Sequence, residues 1–192
     1  GFAAIGFGKG MTRVFASPGT IYEPEAARSD YWRMARTLFA AGFRPGELIH
    51  NCFSYHFTPA GSMMETGAHA IGCTVFPGGI GQTEQQVQAM SELKPAGYIG
   101  TPSFLKIIME KAAELGVRLA HQCHTLSLFE TVDGIERTLR QIARPNFGLI
   151  FEPANLEICG QDYGAQTIRR LAPWIFNVYL QNQILKPDGE VT

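Results

Sequence analysis

Glu47–Ser54 (ELIHNCFS), Pro59–Ile71 (PAGSMMETGAHAI) and Cys73–Phe76 (CTVF) decide the fold class. The first and third are short apolar runs, the length and composition of buried strands. The segment between them is helical and ends at Gly72. Two strands joined by a helix require a crossover, which makes them parallel neighbours in a βα unit. The same alternation runs on. Thr83–Leu93, Ser103–Leu115, Glu130–Ala143 and Asp162–Leu171 read as helices; Gly97–Gly100, Val117–His124, Phe147–Phe151 and Ile175–Leu180 read as extended. Upstream, Trp32, Ala35, Leu38 and Phe39 recur at helical spacing over Asp30–Ala41. Ser29 or Asp30 can cap that helix, and Gly42 with Arg44-Pro45-Gly46 ends it. Gly1–Gly10 reads as irregular. The expectation is an α/β fold of alternating β-α units, with a mostly parallel sheet in one layer over one shared core.

Composition narrows the class. The chain has 192 residues, 16 Lys+Arg against 17 Asp+Glu, a net charge of -1 and 45% hydrophobic residues. Only 17% are charged, against about 25% in an average domain. A disordered tail, a coiled coil and a collagen-like repeat are excluded. Near-neutral charge excludes a generic electrostatic grip on nucleic acid or an anionic membrane. No apolar run reaches the roughly 20 residues that cross a bilayer, so the chain is expected to be soluble. Cys52, Cys73, Cys123 and Cys159 are far apart and lack zinc-site spacing, so they read as reduced thiols in a cytoplasmic protein. The chain begins at Gly1, not Met, and is expected to be an excerpt.

Right-handed crossovers place every strand's carboxyl end on one edge, where loops and helix N-termini converge on ligands. The segments to search are Phe53–Pro59, Pro77–Thr83, Gly100–Ser103, Cys123–Glu130, Glu152–Gly160 and Gln181–Asp188. His56, just after a strand, is the better acid/base candidate; His69 falls within a helix. Gly78-Gly79-x-Gly81 followed by Thr83 reads either as an anion cradle at a helix start or as a tight turn. In both, Thr83 caps the helix and Gln86 sits at N3.

Ala16-Ser17-Pro18-Gly19-Thr20-Ile21-Tyr22-Glu23-Pro24 can be laid on a phosphate-binding loop, followed in order by four further stretches. These are Gly42–Glu47, Tyr55–Thr58, Gly67–Gln86 and Gly100–Phe104. Together they resemble the N-terminal domain of the phenylacetate–CoA ligase family of adenylate-forming enzymes, over about residues 1–116. The resemblance implies ATP-dependent adenylation of a small carboxylic acid followed by transfer to coenzyme A. It implies cofactor contacts at Ser17, Gly19, Thr20, Gly78, Gly79, Gly81 and Thr83, with His56 as a catalytic candidate. Tyr22 stands where the family has a second Gly, and Glu23 where it has Lys. That exchange turns attraction for polyphosphate into repulsion.

From about Val117 the likeness changes. Leu119–Thr125, Phe151–Leu156 and Asn177–Asn182 resemble strand ends of xylose-isomerase-like sugar-phosphate isomerases and epimerases with the (β/α)8 barrel fold, over residues 117–192. This implies a sugar substrate and a divalent metal held by Gln122, His124 and Glu152, with His124 also a catalytic candidate. Gln122 replaces the usual Glu, Tyr179 a His and Asn182 an Asp, each loss weakening the grip on a hard cation. No linker separates the two resemblances. The chain therefore reads as a fragment or chimera of two incomplete α/β enzymes. It is expected to be inactive alone or a catalytically silent scaffold, with open sheet edges through which copies can associate.

Overall fold

The computed structural model describes residues 8, 10–19 and 21–180. The chain divides into two compact units, Gly1–Lys111 and Ala112–Thr192.

The first unit opens with an antiparallel hairpin, β1 (Met11–Ser17) and β2 (Ile21–Ala26). Its turn carries Pro18 and Gly19, and Gly19 has a φ of 99°, which glycine tolerates without strain. Then come α1 (Ala35–Ala40), β3 (Leu48–Asn51), α2 (Ala60–Ala70), β4 (Thr74–Phe76), α3 (Thr83–Leu93), β5 (Gly97–Ile99) and α4 (Pro102–Glu114), within which the two units divide. The strands form a parallel sheet in the order β4-β3-β5, with Ile49 opposite Val75 on one side and Gly97 on the other. The chain thus enters at the centre, crosses to one flank and then to the other, as doubly wound sheets do. Ile49 and Ala68 are fully buried, with Leu38, Cys73 and Ile99 around them. Gly67 lets α1 and α2 close up: a Cβ there would lie 2.7 Å from the Met34 Cβ.

A buried carboxylate secures the hairpin. Glu25 is 3% exposed and accepts from Arg13 at 2.9 Å, Trp32 Nε1 at 2.7 Å and Ser62 Oγ at 2.5 Å. Ser62 lies on α2, so this network joins β2 to the helix.

The second unit contains β6 (Leu119–Gln122), α5 (Val132–Ile142), β7 (Phe147–Phe151), α6 (Pro153–Ile158), α7 (Ala165–Leu171) and β8 (Ile175–Val178). Its strands are parallel and lie in sequence order, β6-β7-β8. Thr131 caps α5 by accepting from the Gly134 N–H at 3.1 Å. Ile135 and Leu139 then recur at helical spacing and are buried with Leu149, Leu156 and Leu171 in this unit's core.

The α/β class and the alternating elements match the sequence expectation; the single layer does not. Among the described residues there are three sheets and two hydrophobic clusters, and β5 and β6 belong to different ladders. Periodicity reports which segments are extended but not which ones pair. The hairpin was expected as a loop and α6 was not expected. The helix expected over Asp30–Ala41 is confined to Ala35–Ala40, because Asp30 and Arg33 take φ of 47° and 61°. Asp30 still serves it, accepting from the Ala35 N–H at 3.1 Å. Gln181–Asp188, including Asn182, lies outside the described residues, as does Thr20.

Candidate functional site

In the first unit the carboxyl edge of β4-β3-β5 gathers three loops. The loop after β3 follows Asn51, whose amide donates to the Tyr55 hydroxyl at 2.8 Å and the Gly61 carbonyl at 2.9 Å. His56 is exposed on this loop, and His69 is exposed on α2. The loop meets the hairpin where the Ala16 N–H donates to the Phe57 carbonyl at 2.7 Å. The segments bearing Ser17 and His56 are therefore neighbours. The Ser17 hydroxyl donates to the Glu23 carboxylate across the hairpin turn.

The loop after β4, Gly78–Gly81, closes on Gln86 from α3. The Gln86 amide nitrogen donates to the carbonyls of Gly79 at 3.0 Å and Gly81 at 2.6 Å. Its oxygen faces His50 Nε2 at 2.8 Å and the Cys52 thiol at 2.9 Å. Because the nitrogen is committed to two carbonyls, the oxygen must accept, and His50 donates from Nε2. Gly78 is sterically required here: a Cβ would lie 2.6 Å from Gln86 Oε1 and 2.7 Å from His50 Nε2. Gln86 is thus a strut inside the loop, not the capping residue expected at N3. Gln82, at a φ of 48°, occupies the N-cap, and Thr83 is the first residue of α3. Inside the loop, the carbonyls of Gly79 and Gly81 are both taken up by the Gln86 amide.

Burial controls the titration of this cluster. It pushes the Cys52 thiol up to about 12, which makes the sulfur an inert donor. Burial also pushes the His50 imidazole below its ordinary 6.5, opposed by its bond to Gln86. The unfolded chain therefore takes up the proton first, so this contribution to stability is present above pH 6.5 and lost as pH falls below it. Urea midpoints are expected to drop between about pH 7.5 and about pH 5.5, and His50→Gln is expected to flatten part of that slope.

In the second unit, Gln122 at the end of β6 donates to the Glu152 carboxylate at the end of β7. His124 lies beyond β6 with Nδ1 3.0 Å from the Thr125 carbonyl. Sequence reasoning brought Gln122 and Glu152 to one edge. It missed Asn155, which donates to Glu152 at 2.8 Å, and in the first unit it missed His50 and the inward course of Gln86. The signal for Gln86 was its i, i+4 spacing to Met90 on the apolar face of α3.

No protein-family model matches the chain. Over 114 residues it is 32% identical to a phenylacetate-coenzyme A ligase of Aromatoleum evansii, covering 56% of this chain and 26% of that protein. The Thermus thermophilus protein of the same name is 35% identical over 114 residues, with the same coverage. That of Escherichia coli strain K12 is 35% identical, covering 55% of this chain and 26% of the relative. The sequence likeness is to phenylacetate-coenzyme A ligases. The chain spans about a quarter of the length of these relatives, 26%.

Solved structures agree on the fold. A 2-hydroxyisobutyryl-CoA ligase in an open conformation, in complex with 2-HIB-AMP and CoA, superposes with a TM-score of 0.55 at 18% identity. It covers 73% of this chain and 32% of the ligase. The same ligase in its postadenylation state matches with a TM-score of 0.51 at 24% identity, over 55% of this chain and 23% of the other. Among the described residues no helix is long and apolar enough to cross a membrane.

Proposed function

We propose that the first unit is part of the nucleotide- and acid-binding domain of an adenylate-forming acid–CoA ligase. ATP, coenzyme A and a small carboxylic acid are the ligands of such a domain. The observation that carries this reading is the likeness at 32% to 35% identity over 114 residues, on a chain whose first unit holds a doubly wound parallel sheet. Loops bearing Ser17, His56 and Gly78–Gly81 meet around the carboxyl side of that unit.

We further propose that this chain does not turn over by itself. The hydroxyl of Ser17 is engaged by Glu23, which puts a carboxylate where the family has a cation. Phosphate oxygens would meet like charge and a committed donor. ATP–pyrophosphate exchange with phenylacetate and other aryl or acyl acids is therefore expected to stay at background. Saturable, acid-dependent exchange that Ser17→Ala abolishes would show that the chain is an active ligase.

A second reading applies to residues 117–192. Strand order distinguishes the two units: β4-β3-β5 winds both ways, whereas β6-β7-β8 advances one strand at a time, as a (β/α)8 barrel does. This supports a barrel-derived segment and a chimeric or fused origin for the chain. The four cysteines are free thiols, which suits a reducing cytoplasm. Strands at the outer positions of both three-stranded sheets have no further partner among the described residues, the feature through which copies would associate.

A further inference from the structure

The resemblance of the last third to metal-dependent isomerases implies a divalent cation at Gln122, His124 and Glu152, and the residues present do not fit one. Glu152 is fully buried, and its Oε2 accepts from both Gln122 Nε2 and Asn155 Nδ2, the latter at 2.8 Å. Two amide donors take up Oε2, which leaves this carboxylate at most one oxygen to offer a cation. Its Oε1 has no hydrogen-bond partner. His124 turns Nδ1 toward the Thr125 carbonyl rather than toward Glu152. Among the described residues no three His, Cys, Asp or Glu side chains converge as metal ligands. A hard dication takes several oxygen ligands, usually more than one of them anionic. One carboxylate saturated on one side by N–H groups is the opposite arrangement.

The geometry points to a metal-free clamp, in which Gln122 and Asn155 hold the Glu152 carboxylate and tie the carboxyl ends of β6 and β7 to α6. Asn155 is the residue that makes it a clamp. It is 9% exposed, lies on α6 and donates from the same amide to Glu152 and to the Cys123 carbonyl, at 2.8 Å in each case. Gln122 at the end of β6 and Asn155 on α6 thus share the single buried carboxylate that follows β7, and Asn155 also holds the carbonyl of Cys123. Oε1 is the one carboxylate oxygen in this network that no protein group fills.

The test uses the full chain, with Mn²⁺ and Mg²⁺ as probes, by calorimetry and by thermal unfolding with and without chelator. The clamp predicts no saturable heat that depends on Glu152, and no Glu152-dependent rise in melting temperature beyond about 1 °C. It also predicts that Asn155→Ala melts lower by about 5 °C, from the loss of two buried hydrogen bonds. Gln122→Glu, which places a second carboxylate against Glu152, is expected to melt lower without cation and to recover in Mn²⁺. That would show that the amide is what excludes the metal. Cation binding of equal strength in the wild type and in Glu152→Gln also supports the clamp, since the cation then sits elsewhere. One-to-one Mn²⁺ binding that raises the wild-type melting temperature and is lost in Glu152→Gln overturns it. If Glu152→Gln does not fold, a chelator-reversible rise in the wild type alone overturns it. An unchanged melting temperature in Asn155→Ala overturns it as well.

Discussion

Replacing Gln86 with leucine is expected to cost the first unit about 2–4 kcal/mol, read as a lower denaturant midpoint at unchanged slope. Leucine matches the volume closely, so the loss is of hydrogen bonds and not of packing. His50, 1% exposed, would keep a donor with no acceptor, and Gly79 and Gly81 would lose the amide that draws their carbonyls inward. Gly81 is exposed and water can replace part of its bond, which holds the estimate below the sum of the separate bonds. Gln86→Glu gives a distinct signature. A carboxylate accepts from imidazolium, so the His50 titration should move up while the two loop carbonyls are repelled. If Gln86→Leu were as stable as the wild type, the strut would have no energetic role.

Glu25→Ala is expected to cost about 2–3 kcal/mol, from the stranded Trp32 N–H and Ser62 hydroxyl and the space left behind. The Arg13 side chain is 53% exposed, so its ion pair adds little once solvent screening is counted. Glu25→Gln separates the contributions, since its carbonyl can still accept from Trp32 and Ser62 while the charge is gone. Most of the alanine loss should be recovered in that variant. Equal loss in both would mean that the charge, not the acceptor, carries the network.

The order of elements was legible because each has a local cause. Thr83–Leu93 matches its expected span because the chain reverses at both ends, with Gln82 and Lys94 each at a φ of 48°. Phe147–Phe151 was legible as an uninterrupted apolar run. What failed depends on partners. The hairpin strands carry charges at Arg13, Glu23 and Glu25, and Glu25 becomes acceptable inside only through Arg13 across the hairpin and through Trp32 and Ser62, which arrive from elsewhere in the fold. Pairing was equally hidden. β5 and β6 each look like the next strand of one ladder, and nothing local records that they belong to separate sheets.

At the candidate site, Phe53–Pro59 and Pro77–Gln82 follow strands as loops, as expected, but Glu152–Gly160 is largely α6, and the direction of individual side chains was not legible. Gln86 reads as a surface capping residue until the carbonyls of Gly79 and Gly81 are seen to need its amide. Gln122 and Glu152 meet because parallel pairing puts Gln122 opposite Ile150, two residues short of Glu152, at the same edge. Asn155 could not be anticipated without α6, and α6 had been read as part of a loop.

On the function proposed above, Ser17 and Glu23 stand where an adenylate-forming domain would bind phosphate, and the Glu23 carboxylate disables that position. Titrating ATP into the wild-type chain and into Glu23→Lys tests it most directly. A charge pair at about 4 Å contributes up to roughly 4 kcal/mol at an effective dielectric near 20, much less where water screens it. No saturable binding is expected in the wild type, and at least about tenfold tighter binding in Glu23→Lys, equivalent to about 1.4 kcal/mol. Saturable ATP binding by the wild type, or no gain in Glu23→Lys, would contradict it.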